Sequence, residues 1–213
     1  MGIMTEVSLK LSPFFKRIFD ICVSVLACVI LAPVFILVFV AVRLSSPGPA
    51  VFRQPRAGKD GRAFTFYKFR TMKIDAQPFG PSPKSGRDPR LTRVGRFLRE
   101  YSLDELPQLF NVLKGDMSIV GPRPLYISQM AEWNQRQKKR LLVKPGLTGL
   151  AQISGRGELT REEKLEFDVQ YVETASFWLD IKIVCATFTQ ILSRKKIYEK
   201  KYSKTEYTRG ENS

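Results

Sequence analysis

From Ile21 to Val42 the chain reads ICVSVLACVILAPVFILVFVAV, without a single charged residue. A helix of about 22 residues extends roughly 33 Å, enough to cross the hydrocarbon core of a bilayer. Whether it crosses, or enters and returns, decides the architecture. Pro33 lies inside the run, where it removes a backbone donor and clashes with the preceding turn, so a kink is expected there. Lys10, Lys16 and Arg17 precede the run, and Arg43, Arg53, Arg56, Lys59 and Arg62 follow it. Positive charge favours the cytoplasmic side of a membrane, and here both flanks carry it. A straight span puts one basic cluster on the wrong side. A re-entrant helix keeps both on one side, at the cost of finding partners for the backbone groups freed at the break. The re-entrant form is favoured, and a kinked single span stays open. A cleavable signal peptide fits less well, because the run exceeds a typical h-region and SSPGPAVFRQ is a poor cleavage site.

Outward from this segment, SSPGP (Ser45 to Pro49) is a breaker cluster that ends the apolar helix. It divides residues 1–45 from a body expected over 46–193, and 194–213 read as a solvated basic tail. GKDG (Gly58 to Gly61) is a turn signal, and the alternation in FTFYKFRTM after it predicts a strand, the second arm of a β-hairpin. Gln77 to Arg90, rich in Pro, Gly and Ser, is expected to be an exposed loop. A helix is predicted around Leu91 to Glu100, with Leu91, Val94, Phe97 and Leu98 on one face and Arg93, Arg96 and Arg99 on another. A polar helix follows around Ser128 to Leu142, then a turn region at KPGLTG and a short extended segment, GLAQISGR, ending at Arg156. Thr160 and Glu163 have capping-box spacing, predicting a helix from about Arg161 to Ala175. Phe177 to Leu192 forms a second helical run with a broad apolar face of Phe177, Ile181, Val184, Cys185, Phe188, Ile191 and Leu192, suited to a core or to a membrane interface. The fold class expected is α+β, mainly helical.

The 213 residues include 35 Lys+Arg, 20 Asp+Glu and no histidine, for a net charge of +15. Such an excess points to an anionic partner: nucleic acid, a membrane surface or a phosphorylated small molecule. Without histidine there is no Ser-His-Asp or Cys-His arrangement and no histidine-ligated zinc. Cys22, Cys28 and Cys185 lie in apolar runs without metal-ligand spacing and read as buried hydrophobes in a reducing compartment. Carboxylates become the leading candidates for chemistry.

SLDELPQLFNVLKGDMSIVGPRP, Ser102 to Pro124, carries them. Leu106, Leu109, Phe110 and Leu113 fall at helical spacing, and the helix should stop near Gly115. With Asp104 as N-cap, Pro107 occupies the third helical position and no hydrogen bond is lost. Taken alone, Asp104 and Glu105 look like an ordinary cap, and consecutive helical residues do not share a face. Their setting argues for more. A helix N-terminus attracts phosphate. GPRP presents Arg123 on a backbone that each proline restricts, suited to bidentate capture of phosphate oxygens. Together with an apolar insert, these features point to chemistry on a phosphorylated, lipid-linked substrate. Nucleic-acid binding is disfavoured, since the basic residues alternate with apolar ones along the chain. A non-catalytic basic scaffold at a membrane surface is the other reading.

DELPQLFNVLKGDMSIVGPRP, with YKFRTM before it and KPGLTGLAQISGR and EFDVQYV after it, resembles the bacterial sugar transferases, small monotopic phosphoglycosyltransferases. The resemblance runs from Lys16 to about Leu192. It implies a re-entrant, proline-broken membrane helix, a small β-hairpin and amphipathic interfacial helices around a membrane-surface site on the cytoplasmic face of the bacterial inner membrane. It also implies transfer of a sugar-1-phosphate from a UDP-sugar to undecaprenyl phosphate, with release of UMP, as the first step of a surface glycan. In that scheme Asp104 is the nucleophile that forms a covalent phosphosugar, and Glu105 binds Mg²⁺. Lys68, Arg99, Arg123 and Arg156 match basic positions near the substrate phosphates. Ala32-Pro33 stands where the family commonly has Ser-Pro.

Overall fold

The computed structural model describes residues 12–76, 83–193 and 198. Part of the expected loop (77–82), nearly all of the expected tail, Lys10 and the side chain of Leu192 lie outside the described residues.

The apolar run forms two helices, α1 (Pro13–Ile30) and α2 (Ala32–Ser45), bent by 65° at Leu31. The break falls just before Pro33, as proline geometry requires. The ladder resumes at once: the Leu31 N–H donates to Ala27 O at 2.9 Å and Phe35 N–H to Leu31 O at 2.8 Å. No single helix among the described residues is long and apolar enough to cross a membrane, while the bent pair has the length and composition to do so together.

Both ends of the pair are tied to the same body. Arg17 donates to the last carbonyls of α4 (Gln108–Lys114), Val112 O at 2.6 Å and Leu113 O at 2.8 Å, and complements the negative end of that helix. The buried Asp20 accepts from Ser118 Oγ and from Ile119 N–H, each at 2.9 Å. At the far end Arg70 donates to Pro47 O and Ser46 O at 2.5 and 2.7 Å, closing the C-terminus of α2. Gly48, at φ +100, passes so close to Arg70 that a Cβ there would stand 2.5 Å from its guanidinium. Of the flanking cations that indicate topology by sequence, Lys16, Arg17, Arg43 and Arg56 bond to the protein itself.

β1 (Val51–Ala57) and β2 (Ala63–Phe69) form the expected antiparallel hairpin, with Phe52 opposite Lys68 and Arg53 opposite Tyr67. β2 is followed by α3 (Arg93–Glu100), which Thr92 caps by accepting the Gly95 N–H. α4 ends at Gly115, whose φ of +92 makes the left-handed C-cap expected of glycine. The core joins α1 and α4 to the hairpin and the last two helices through Phe66, Leu109, Val112, Met117, Tyr171 and Ile183.

Three expectations are corrected. KPGLTG is not only a turn: β4 (Gly146–Thr148) pairs in parallel with β3 (Ser118–Val120), Ser118 opposite Gly146. Glycine permits the approach, because a Cβ on Gly146 would lie 2.1 Å from the Gly121 nitrogen. GLAQISGR is not extended: Leu150–Ser154 is a short helix, here α6, after the one-turn α5 (Gln135–Lys138). Five residues between glycines are too few to show a helical period. The polar helix over Ser128 to Leu142 is broken into 3₁₀ turns at Ile127–Glu132 and Lys139–Leu142, with α5 between them. Asn134 restarts the backbone by exchanging side-chain hydrogen bonds with Gln137 at 2.9 and 3.0 Å, a capping box with asparagine in place of serine.

α7 (Arg161–Thr174) begins at the expected box: Glu163 N–H donates to Thr160 Oγ1 at 3.2 Å, and Thr160 N–H to Glu163 Oε2 at 2.7 Å. α8 (Phe177–Ser193) divides its expected apolar face, with Val184 packed on the core and much of the rest left outside it. Ile183 and Asp180 are buried, whereas Phe177, Trp178, Cys185 and Phe188 are exposed. Asp180 is the reason. It pairs with Lys16 of α1 at 2.5 Å and accepts from the Tyr171 hydroxyl at 2.8 Å, and these bonds fix the helix's rotation. Cys22 is exposed too, so the cysteines are not uniformly buried hydrophobes.

Candidate active site

Asp104 and Glu105 lie in a 3₁₀ turn, Leu103–Glu105, between α3 and α4. The structure corrects the capping assignment. α4 starts at Gln108 with Pro107 before it, and no side chain caps either the turn or the helix. Leu103 and Leu106 pack beneath the turn with Phe69 and Leu98. Asp104, freed from capping, is 2% exposed and faces the penultimate residue of the hairpin's second strand.

That residue is Lys68, whose ammonium stands 2.5 Å from Asp104 Oδ2 and 4.0 Å from Glu105 Oε1. The contact is a close ion pair between two largely buried groups. Burial pushes the Lys68 ammonium below its ordinary pKa; Asp104 opposes that shift and Arg99 adds to it. Arg123 donates to Glu105 Oε1 at 2.7 Å. Burial raises the Glu105 carboxyl, but Arg123, Lys68 and Arg156 outweigh it and hold the group at about 2. Arg156 donates to Ser102 Oγ at 2.8 Å. Arg99 Nη1 is buried without a hydrogen-bond partner and faces the Lys68 charge. All six residues singled out by sequence thus meet in one place. Four cations face two carboxylates there, an excess of two positive charges.

Ser102 and Arg156, which touch, adopt left-handed backbone conformations at φ 56 and φ 52. This conformation is uncommon outside glycine and costs roughly 1–2 kcal/mol per residue. Strain held on two facing residues is a mark of functional sites.

Because Glu105 is held low, its ion pairs contribute stability that is complete above its unfolded value near 4.5 and is lost as pH falls toward about 2. Glu105→Gln should flatten the acid limb of the stability curve over that window in urea titrations at stepped pH. An unchanged limb would show that Glu105 is not held as described.

Two further residues build the site. Asn111, fully buried on α4, reads the free edge of β2: it accepts the Tyr67 N–H at 3.1 Å and donates to Thr65 O at 2.7 Å. It acts as one residue of a third strand and fixes the helix that follows the dyad against the strand that carries Lys68. Asn111→Leu leaves both backbone groups unpaired and should cost about 2 kcal/mol. A urea midpoint within error of the parent's would refute this.

Arg140 is the second. It is 3% exposed and donates through Nε and Nη2 to Asp168 Oδ2 at 3.1 and 2.7 Å. Its Nη2 also donates to the Arg123 carbonyl at 2.5 Å, and its guanidinium lies 4.8 Å from the centre of the Trp133 ring. Arg140 therefore fixes the backbone from which Arg123 reaches Glu105. By sequence Arg140 belongs to the run QRQKKR and looks solvated. The signal was on its partner: Asp168 shares the buried stripe of α7 with Leu165, Val169 and Val172, and an acid there needs a cation.

Residues 11–194 match the family model described as bacterial sugar transferase. The chain belongs to that family. Among the relatives of this bacterial sugar transferase, the galactosyl transferase CpsE of Streptococcus agalactiae serotype III (strain NEM316) is 44% identical over 189 residues, covering 83% of the chain and 42% of that protein. The UDP-glucose:undecaprenyl-phosphate glucose-1-phosphate transferase of Escherichia coli (strain K12) is 45% identical over 191 residues, covering 86% and 41%. The uncharacterized sugar transferase EpsL of Bacillus subtilis (strain 168) is 44% identical over 177 residues, covering 83% and 87%. The chain thus spans about two fifths of the first two relatives and most of the third.

Proposed function

We propose that this bacterial sugar transferase moves a sugar-1-phosphate from a UDP-sugar to undecaprenyl phosphate, releases UMP, and so begins a surface glycan. The observation that carries the reading is the buried Asp104, ion-paired with Lys68 inside a cluster with two excess positive charges. A carboxylate attacking a diphosphate is repelled unless cations screen both partners. Lys68, Arg99, Arg123 and Arg156 supply that screening and stabilise charge on the departing UMP. Asp104 attacks the β-phosphorus, the bond from that phosphorus to the bridging oxygen breaks, and UMP leaves with the electron pair. A phosphate oxygen of the acceptor then displaces Asp104 from the acyl phosphate. The sugar C1–O bond is never cut, and kinetics are ping-pong.

Among the described residues no group of three or more potential ligands could hold a metal by itself. Mg²⁺ is nonetheless compatible, since it binds through one or two carboxylates completed by substrate phosphates and water. Glu105, kept ionised beside Asp104, is the residue that would hold it, and the ion would neutralise developing phosphate charge.

The membrane placement is part of the same proposal. Val29, Ile30, Ile36 and Leu37 along the bent pair are exposed apolar residues, and both ends of the pair bond to one body. This favours a re-entrant anchor in the inner membrane with the site on the cytoplasmic face. With Cys22, Cys28 and Cys185 replaced, single cysteines at Ser12 and Ser46 should both label from the cytoplasmic side. Opposite sides would mean a span.

The activity is tested by incubating the full chain with Mg²⁺, undecaprenyl phosphate and a panel of UDP-sugars. UMP release with formation of a polyprenol-diphosphate sugar is expected. No release with any donor would leave the scaffold reading in its place.

A further inference from the structure

An apolar groove of about 540 Å³ lies against Tyr67 and Phe69 of β2, with Pro107 of the segment after the dyad in its lining. Strand alternation separates groove and dyad: Lys68 turns toward Asp104, while its neighbours Tyr67 and Phe69 line the groove. Phe35, Ile36 and Phe39 of α2 form one wall and Phe110 of α4 the other. Ile36, Phe39 and Phe110 are each about half exposed or more, so the groove opens outward. Its rim is cationic. The Lys114 ammonium donates to the Tyr67 hydroxyl at 2.8 Å and lies 4.8 Å from the centre of that ring. The Arg53 guanidinium lies 5.9 Å from the same ring. Among the described residues no carboxylate forms an ion pair with either cation.

We propose that this groove binds one anionic phospholipid, with an acyl chain along Phe35, Ile36, Phe39 and Phe110 and the headgroup phosphate between Arg53 and Lys114. The argument is charge complementarity joined to shape. An apolar trough of ordinary ligand-site volume ends in two cations and a phenol, matching an amphiphile with a phosphate head. Two unpaired cations fit a net-negative headgroup and leave a zwitterionic one with an unmatched ammonium. The lipid acceptor is a poorer occupant. Arg53 and Lys114 stand against Tyr67, on the face of β2 opposite the one from which Lys68 meets Asp104, so a phosphate held between them does not face that carboxylate. The inference rests on the membrane placement above, and not on the transfer chemistry.

The test uses the full chain in nanodiscs containing phosphatidylglycerol, phosphatidylcholine and a trace of undecaprenyl phosphate, with retained lipid counted by native mass spectrometry. One phosphatidylglycerol should remain bound. Arg53→Gln with Lys114→Gln should lower its preference over phosphatidylcholine about 30-fold, as two cations at an anionic surface would. Phe110→Gln should reduce retention of both phospholipids. UMP release by the double variant should stay near that of the parent, because neither cation faces Asp104. Equal retention of the two phospholipids, a preference untouched by the double variant, or selective retention of undecaprenyl phosphate would each overturn the proposal. A parent chain that never enters the nanodiscs would overturn it together with the anchor, while UMP release judges the chemistry separately.

Discussion

Asp104→Asn should lower UMP release at least about 1000-fold while the protein keeps its fold and its membrane partition. The substitution preserves size and removes the attacking charge; loss of a covalent nucleophile commonly costs that much or more. The fold should persist because Asp104 caps no helix, and its ionic neighbour Lys68 still has Glu105 at 4.0 Å. Circular dichroism and vesicle flotation check the second half of the expectation. A purely structural Asp104 would give the opposite pattern, with activity falling only as far as stability does. The intermediate offers a direct check: parent enzyme given donor alone, then digested, should show a phosphosugar mass on the peptide containing Asp104. Enzyme that turns over without ever carrying that mass would rule the mechanism out.

Arg140→Met should give the largest loss of stability. Arg140 and Asp168 are 3% and 2% exposed, and removing one member of such a pair strands the other charge, at about 3–5 kcal/mol. Burial pushes the Asp168 carboxyl above its ordinary range, and the charge and two N–H donors of Arg140, with the Arg123 backbone N–H, favour its ionised form there. Replacing both members, Arg140→Met with Asp168→Leu, should recover much of the loss, since no stranded charge remains. Urea midpoints for the two single variants and the double form the cycle. The recovered double variant should still be a poor enzyme, because the Arg123 carbonyl has lost its donor and the guanidinium of Arg123 its fixed base. A double variant with both normal stability and normal turnover would remove Arg140 from the site.

These two residues differ in how far the chain declared them. Asp104 stands beside Glu105 before a proline and an apolar helical stripe, all within one short stretch, so its importance was legible. That it is not a cap was not legible, because capping and catalysis use the same residue types at the same place. Only the packing of Leu103 and Leu106 against Phe69 and Leu98, which sets the 3₁₀ turn, separates the two. Arg140 sits in a run of polar and basic residues that no local rule distinguishes from a solvated face. Its partner is 28 residues away and its acceptor carbonyl 17 residues away.

Of the six charged residues of the site, Lys68, Arg99 and Arg156 came from the family resemblance. By itself the sequence determined the bent apolar pair, the hairpin, α4 with its glycine stop and the capped start of α7. Each follows from an interaction between residues a few positions apart: helical or strand period, a proline's missing donor, a capping exchange. The tertiary structure alone decided that Asp104 meets Lys68, that Gly146 pairs in parallel beside Gly121, that Asp180 rotates α8 to leave Phe177 and Trp178 outside, and that Asn111 completes the edge of β2. Those contacts join short segments far apart along the chain. Their free energy comes from burial and from pairing groups that water would otherwise satisfy, and neither leaves a periodic trace in the residues themselves.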